Sequence, residues 1–91
     1  MTETESLESL LEFPCQFPIK VMGKHSDDFD VLVVEIVRRH VADLHEGAVT
    51  TRPSKAGNYL SVTVTIEAHS REQLDAIYMS LTACPAVLMA L

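Results

Sequence analysis

Alternating apolar and polar residues mark two segments of the chain as strands that bury one face. In CQFPIKVMG (residues 15–23), Phe17, Ile19 and Val21 share one side of an extended chain. NYLSVTVTIEA (residues 58–68) alternates more regularly, and its second side is rich in hydroxyl groups. A period of two is typical of a half-buried strand. We predict two strands, and we expect the hydroxyl-rich face to lie partly in water.

Helical spacing marks SREQLDAIYMSLTAC (residues 70–84) as a helix. Ser70 and Gln73 have the spacing of a capping box, in which their side chains satisfy free backbone N–H groups of the first turn. Pro85 cannot continue a helix, so the helix is predicted to end before it. The apolar stripe of this helix consists of Leu74, Ile77, Tyr78 and Leu81.

The segment SDDFDVLVVEIVRRH (residues 26–40) is ambiguous, because its β-branched residues favour a strand. The spacing favours a helix, since apolar residues recur at i, i+3, i+4, i+7 and i+8 from Phe29 to Val37. Acidic residues at the start and arginines at the end suit the helix dipole, and Ser26 or Asp27 could cap the first turn. We predict a helix, because burial of the stripe outweighs a propensity penalty of roughly a few tenths of a kcal/mol per valine.

Two shorter segments complete the pattern. AVTTRPS (residues 48–54) is predicted to be a short polar strand, and AVLMAL (residues 86–91) a last strand. The resulting order is β-α-β-β-α-β, which right-handed crossovers fold into a compact split βαβ arrangement. We predict an α+β ferredoxin-like sandwich: a four-stranded antiparallel sheet with two helices on one face and the second and fourth strands at its edges.

The acidity of the chain is concentrated before the predicted domain. The 91 residues include 13 acidic and 7 basic side chains, for a net charge of −6. Residues 1–12, MTETESLESLLE, hold four of the acids and no cation, which leaves a net charge of −2 for the rest. We predict that residues 1–12 form a partly flexible acidic arm with a short helical turn, and residues 13–91 a single domain. The negative charge disfavours nucleic acid and anionic membranes as partners.

Composition gives no sign of export, a membrane span or a cofactor. The chain lacks a signal-peptide pattern and any apolar run near ~20 residues. Cys15 and Cys84 form no CxxC pair and are too few for a disulfide framework, so we expect small, buried apolar roles for them. The four histidines lack the spacing of a metal site. We therefore expect a cytoplasmic protein with reduced thiols, no metal and no cofactor.

Three segments resemble the YbeD-like family of small bacterial proteins. They are LLEFPCQFPIKVMG (residues 10–23), RPSKAGNYLSVTVTI (residues 52–66) and the closing AVLMAL. The resemblance covers nearly the whole chain. It implies a βαββαβ fold similar to that of ACT regulatory domains and a cytosolic protein. The family has no established biochemical activity, so the resemblance supplies no catalytic residue.

The first candidate site is TRPSKAGNYLS (residues 51–61), which contains two cations. Pro53, Gly57 and Asn58 are typical of a turn, so the segment is predicted to be a hairpin. A phosphate-binding P-loop is disfavoured, because a strand rather than a helix follows the glycine. The hairpin alone explains the composition. The functional hypothesis adds an anion or partner contact through Arg52, Ser54, Lys55, Gly57 and Tyr59.

The second candidate site is VMGKHSDDFD (residues 21–30), between the first strand and the first helix. Gly23 would permit the close approach of a ligand, and helix N-terminal amides attract anions. Gly23 and Lys24 are therefore secondary candidates. The three aspartates of the segment oppose an anionic ligand, and a plain capped turn is the alternative. The glycine-rich ligand loop of ACT domains is not clearly present.

These features favour a non-enzymatic regulatory or adaptor module that binds a protein partner or a small effector. The sheet face opposite the helices, or an edge strand, could also pair with a second copy to form a homodimer. The alternative is a small enzyme that acts on a phosphorylated or acylated substrate. The chain contains no nucleophile elbow, and the loop after the first strand lacks the arginine of acylphosphatases.

Overall fold

The computed structural model describes residues 12–42 and 44–91, with Glu46 described by its backbone alone. The acidic arm predicted for residues 1–12, including its helical turn, lies outside the described residues except for the exposed Glu12. A 3₁₀ turn, Glu46–Ala48, precedes the second strand. The strands and helices in chain order are β1 (Cys15–Lys24), α1 (Phe29–Arg38), β2 (Val49–Pro53), β3 (Tyr59–Ala68), α2 (Arg71–Thr82) and β4 (Val87–Ala90).

The four strands form one sheet in the order β2-β3-β1-β4, and every neighbouring pair is antiparallel. The two long strands, β1 and β3, pair from Cys15 opposite Ala68 to Lys24 opposite Tyr59. The short strands β2 and β4 lie at the edges, as predicted. The α+β ferredoxin-like prediction is therefore confirmed.

Both helices pack on the same face of the sheet. Helix α1 contributes Phe29, Val33, Ile36 and Val37 to the core, where they meet the apolar side chains of β1 and β3. This confirms that the ambiguous valine-rich segment is a helix. As a strand, this segment would place only alternate residues against the core. As a helix, it places its apolar stripe of four adjacent side chains against the sheet.

The start of α1 differs from the prediction. The helix begins at Phe29, and its N-cap is Asp28, whose side chain makes no capping hydrogen bond. Ser26 instead donates its hydroxyl to Asp28 Oδ1 at 3.2 Å. Ser26 and Asp27 therefore belong to a turn before the helix, because Ser26 bonds to the nearby carboxylate rather than to a backbone amide. At the other end, the helix stops at Arg38 rather than His40.

The capping prediction for α2 is confirmed for Ser70 and modified for Gln73. Ser70 Oγ accepts the Gln73 N–H at 3.0 Å. Gln73 Oε1 accepts the N–H of His69, one residue before the cap, at 2.7 Å. Gln73 Nε2 donates to the His40 carbonyl at 3.0 Å, and His40 Nε2 hydrogen-bonds Ser80 Oγ at 2.9 Å. These bonds join the end of α1 to α2.

Pro18 and the cysteines occupy positions that suit their chemistry. Lys20 donates its N–H to the Leu91 carbonyl, on the side of β1 that faces β4. The Pro18 nitrogen, two residues earlier, faces the same side but lies past the end of β4, so no ladder bond requires an N–H there. Cys15 and Cys84 are free thiols that lie partly buried against the core, slightly more exposed than predicted. Among the described residues, neither helix is both long and apolar enough to cross a membrane.

Candidate functional site

No helix or strand within residues 12–42 and 44–91 covers the sheet face opposite the helices, and we call it the open face. Side chains alternate across a strand, so the even positions of β1 and the odd positions of β3 point away from the core. Residues directly opposite each other in paired strands share a face, which aligns them in rows across the sheet. The two central rows are Lys20–Thr63–Thr50 and Met22–Ser61–Arg52.

A concavity of about 510 Å³ lies over these rows, between β1 and the β2–β3 hairpin. Its floor is formed by side chains of three neighbouring strands, so the rigid central sheet holds them in place. Hydroxyl groups predominate among them, and Met22 and Pro53 supply the apolar contacts. The lining residues are Lys20, Met22, Thr50, Thr51, Arg52, Pro53, Ser54, Tyr59, Ser61 and Thr63.

The concavity is cationic. Its charged lining residues are Lys20 and Arg52, and no aspartate or glutamate of the described part of the chain lines it. Among the strand residues that the structure describes, Glu67 is the one carboxylate on the open face, opposite Gln16 at the far end of the sheet. It lies four residues along β3 from Thr63, or about 13 Å. Among the described residues, positive charge is therefore concentrated at this end of the face.

Next to the concavity, strand pairing aligns residues from both candidate segments, although Lys24 itself does not line it. Lys24 lies opposite Tyr59 across the β1–β3 pair. Ser54 N–H donates to the Tyr59 carbonyl at 2.9 Å, and Ser54 Oγ accepts the Tyr59 N–H at 3.1 Å. Lys24, Tyr59 and Ser54 thus form a third row beside that of Arg52. The Ser54 hydroxyl closes the hairpin and still has a proton to donate toward the concavity.

The hairpin turn is tied to the loop between β1 and α1. The Gly57 N–H donates to the Ser54 carbonyl at 2.9 Å, and Gly57 has φ +77°, as predicted. His25 donates its N–H to the Asn58 carbonyl and its Nδ1–H to the Gly57 carbonyl, both at 3.0 Å. Lys55 is exposed in the same turn, and neither Lys55 nor Gly57 lines the concavity.

Gly23 has a packing role that accounts for its lack of a side chain. A Cβ at this position would overlap the Ala86 carbonyl oxygen and the ring of Phe29. Gly23 is buried on the core face of β1, away from the concavity. The sequence predicted the close approach of a ligand at Gly23, whereas the groups that approach it in the structure belong to the protein itself.

Of the candidates predicted from the sequence, Arg52, Ser54 and Tyr59 line the concavity. Lys20, Thr50, Ser61 and Thr63 also line it and were not among those candidates. The alternation in β1 and β3 carries the signal for Lys20, Ser61 and Thr63. Grouping them with Arg52 requires the strand order and the β2–β3 register. No group of three or more metal-ligating side chains occurs among the described residues.

The fold and the open face define a class: a ferredoxin-like α+β domain with an uncovered sheet face. The chain belongs to the family described as "Protein of unknown function (DUF493)", whose family model matches residues 8–91. This agrees with the YbeD-like resemblance of the sequence, and the relatives are small bacterial proteins of unassigned activity.

Relatives share about half of the residues over nearly the full length. A "UPF0250 protein" of Janthinobacterium sp. (strain Marseille) is 51% identical over 87 residues, which is 96% of each chain. Another, from Ralstonia nicotianae, is 51% identical over 88 residues, covering 97% of this chain and 91% of the relative. The solution structure of protein HP0495 from H. pylori superposes with a TM-score of 0.75 at 15% identity, covering 100% of this chain and 96% of that one. At that identity the likeness shows the fold alone.

Proposed function

We propose that the protein is a non-enzymatic regulatory or adaptor module that binds an anionic group of a protein partner or small effector on its open face. One observation carries this proposal: Lys20 and Arg52 line the same concavity among hydroxyl groups, and no aspartate or glutamate that the structure describes lines it with them. Two cations on one sheet face repel each other weakly, and an anionic ligand would relieve that repulsion.

The arrangement suits recognition of a carboxylate or a phosphate. The Arg52 guanidinium has a planar fork of donors that fits either group in a bidentate way, and the Lys20 ammonium adds a compact charge. Ser61 and Thr63 lie between the two cations on β3 and can donate hydrogen bonds from their hydroxyls. Lys20 and Arg52 are exposed, so binding should weaken as salt concentration rises.

The lining residues support binding more than catalysis. They include no histidine, cysteine, aspartate or glutamate, so none of them is a ready general base at neutral pH. A small enzyme acting on a phosphorylated or acylated substrate is the alternative from the sequence. It would be favoured by turnover that disappears when Lys24 or Lys55 is changed.

Compartment and assembly belong to the same proposal. We propose a cytoplasmic location, where thiols such as Cys15 and Cys84 stay reduced. A homodimer is one form that the partner could take. Stacking two open faces would place the Lys20 and Arg52 of both copies in one interface, which like charges oppose. The edge strand β4 is the better route to a second copy.

The test is to titrate full-length protein with inorganic phosphate and with citrate while recording amide chemical shifts by NMR. We expect the largest changes at Lys20, Arg52, Ser61 and Thr63, and a loss of roughly fivefold or more in affinity for Arg52→Gln. Arg38→Gln, which removes an exposed arginine on the helix side, is the matched control and should bind normally. Shift changes confined to another surface, or equal losses in both variants, would contradict the proposal.

Lys55→Ala tests the hairpin hypothesis separately. The side chain is exposed, so the melting temperature should hardly change. If the turn contributes to capture, Lys55→Ala weakens anion binding, although less than Arg52→Gln does. Unchanged binding would restrict the site to the concavity and remove Lys55 from it.

A further inference from the structure

We infer that the partner presents an acidic protein segment that also carries apolar side chains, and that this segment lies across the open face from β2 to β4. The inference rests on the proposed function and names its partner class. It starts from an apolar strip that adjoins the cationic concavity.

The apolar strip consists of Met22, Met89 and Leu91. Met22 and Met89 lie opposite each other in the β1–β4 pair. Leu91 and Lys20 exchange two backbone hydrogen bonds, of 2.7 and 3.0 Å, so they also lie opposite each other. Met89 is 51% exposed and Leu91 is 64% exposed. The strip therefore belongs to the open face and is in contact with water.

The strip and the concavity share the same rows. One row runs Leu91–Lys20–Thr63–Thr50, and the next runs Met89–Met22–Ser61–Arg52. Each row passes from apolar side chains on the β4 side to cations and hydroxyls on the β2 side. Three strand spacings make the rows about 14 Å wide, which leaves room for an α-helix whose diameter with side chains is roughly 10–12 Å.

A small anion would use only half of this surface. It would contact Lys20 and Arg52 and leave the methionines and Leu91 in water. Contiguous exposed apolar side chains beside polar ones are typical of protein interaction surfaces. A segment with glutamates on one flank and leucines on the other would neutralise the cations and cover the strip together.

Two other occupants are weaker candidates. A second copy would bring its own cations onto the face, where like charges oppose stacking. Residues 1–11 of this chain contain three glutamates and three leucines, so they have suitable chemistry and must be tested as a competitor. A partner in trans is favoured because β1 begins at Cys15, about 23 Å along the strand from Met22, whereas eleven residues in a helix would span only about 16 Å.

The experiment titrates full-length protein with a synthetic 14-residue amphipathic peptide bearing glutamates on one flank and leucines on the other. Two control peptides replace the glutamates by glutamine or the leucines by serine. We expect each control peptide to bind about tenfold more weakly than the parent peptide. Arg52→Gln and Met89→Thr should each weaken binding of the parent peptide. Met79→Thr, which changes a 71% exposed methionine on α2, should not.

The outcomes separate this inference from the proposed function. If the glutamates are required and the leucines are not, the partner class is wrong while the anion site stands. The partner class is also wrong, and the anion site stands, if no peptide binds but phosphate still changes the amide chemical shift of Lys20. If Arg52→Gln leaves the binding of phosphate and of the peptide unchanged, both the proposed function and this inference are wrong. If the peptide binds only when Glu3, Glu5 and Glu8 are changed to glutamine, the chain's own N-terminal segment is the occupant and the inference is overturned.

Discussion

Gly57 and Gly23 show two separate physical reasons for a glycine near one end of the sheet. Gly57 has φ +77°, and no atom lies within 4 Å of the position that a Cβ would take, so its requirement is conformational. Gly23 has no such φ, and its requirement is space against Phe29 and Ala86. The sequence predicted the first, because turn chemistry is local. It assigned the second to a ligand, because Phe29 and Ala86 come close to Gly23 only once α1 and the segment before β4 are packed against β1.

Replacing Gly57 by valine should destabilise the protein by about 1 kcal/mol or more, because a β-branched residue is strained at positive φ. The free energy of unfolding, measured by urea denaturation, tests this. Gly47→Val is the matched control, since that glycine also has open space around it and lacks a positive φ. Equal effects of the two changes would show that the φ of Gly57 is not the cause.

Tyr78 on α2 links stability to alkaline pH. Burial raises the pKa of its phenol above the usual value of 10.0, because desolvation disfavours the charged form. The folded state therefore holds this proton more tightly than the unfolded state. The associated stability is fully present below about pH 10 and is lost as pH rises through the raised pKa.

We expect Tyr78→Phe to reduce the fall in unfolding free energy between pH 8 and pH 11, as measured by urea denaturation at each pH. The comparison with wild type removes the contribution of the other titrating groups. An identical alkaline loss in wild type and Tyr78→Phe would show that another group is responsible.

At the scale of elements, the spacing of apolar residues was sufficient to predict a helix or a strand wherever one face of that element is buried. The stripe from Phe29 to Val37 identified α1 against its strand propensity, since tertiary burial outweighs small intrinsic preferences. The first residue of α1 was less predictable, because the Ser26 hydroxyl bonds to the Asp28 carboxylate rather than to a backbone amide of the helix. Competing local hydrogen bonds of this kind decide helix ends.

The contact between the β1–α1 loop and the β2–β3 hairpin turn could not be predicted from the sequence of either loop. His25 reaches Gly57 only because the β1–β3 register places Lys24 opposite Tyr59. We expect His25→Ala to loosen the hairpin turn, since one of the two bonds that hold it to the β1–α1 loop is removed. Hydrogen exchange at the amides of His25 and Gly57 should become faster. The free energy of unfolding should change by less than about 1 kcal/mol, because the bond is exposed.

His69→Ala provides the comparison for that change, because His69 bonds Gln73 through its backbone. It should leave exchange at the hairpin unaltered. Unchanged exchange in His25→Ala as well would mean that the backbone bond from His25 to Asn58 is sufficient to hold the turn.

At the scale of the whole molecule, the candidate site is a product of strand order. Lys20 and Arg52 are far apart in sequence. They line the same concavity because β1 and β2 both pair with β3. Alternation in β1 and β3 showed which side chains avoid the core. The register of the short strand β2 carries little sequence signal, since four of its five residues are exposed. The face was therefore predictable in outline, and its cationic concavity was not.

The same strand order leaves two edges, and they differ in protection. β2 carries Arg52 and Pro53, which discourage strand addition. β4 contains no charge and no proline, and its bulged residue Leu88 is 58% exposed. Self-association, where it occurs, should therefore proceed through β4.

We expect Leu88→Lys to reduce the rise of the sedimentation coefficient with protein concentration, because a charge on an edge strand opposes pairing with a second copy. Its melting temperature should stay close to that of wild type, since the side chain is largely exposed. Met79→Lys adds the same charge on the helix side and should leave the concentration dependence unchanged. Equal suppression by both variants would indicate a general effect of net charge. Suppression by Leu88→Lys alone would locate the contact at β4, and would leave the open face of each copy available to its partner.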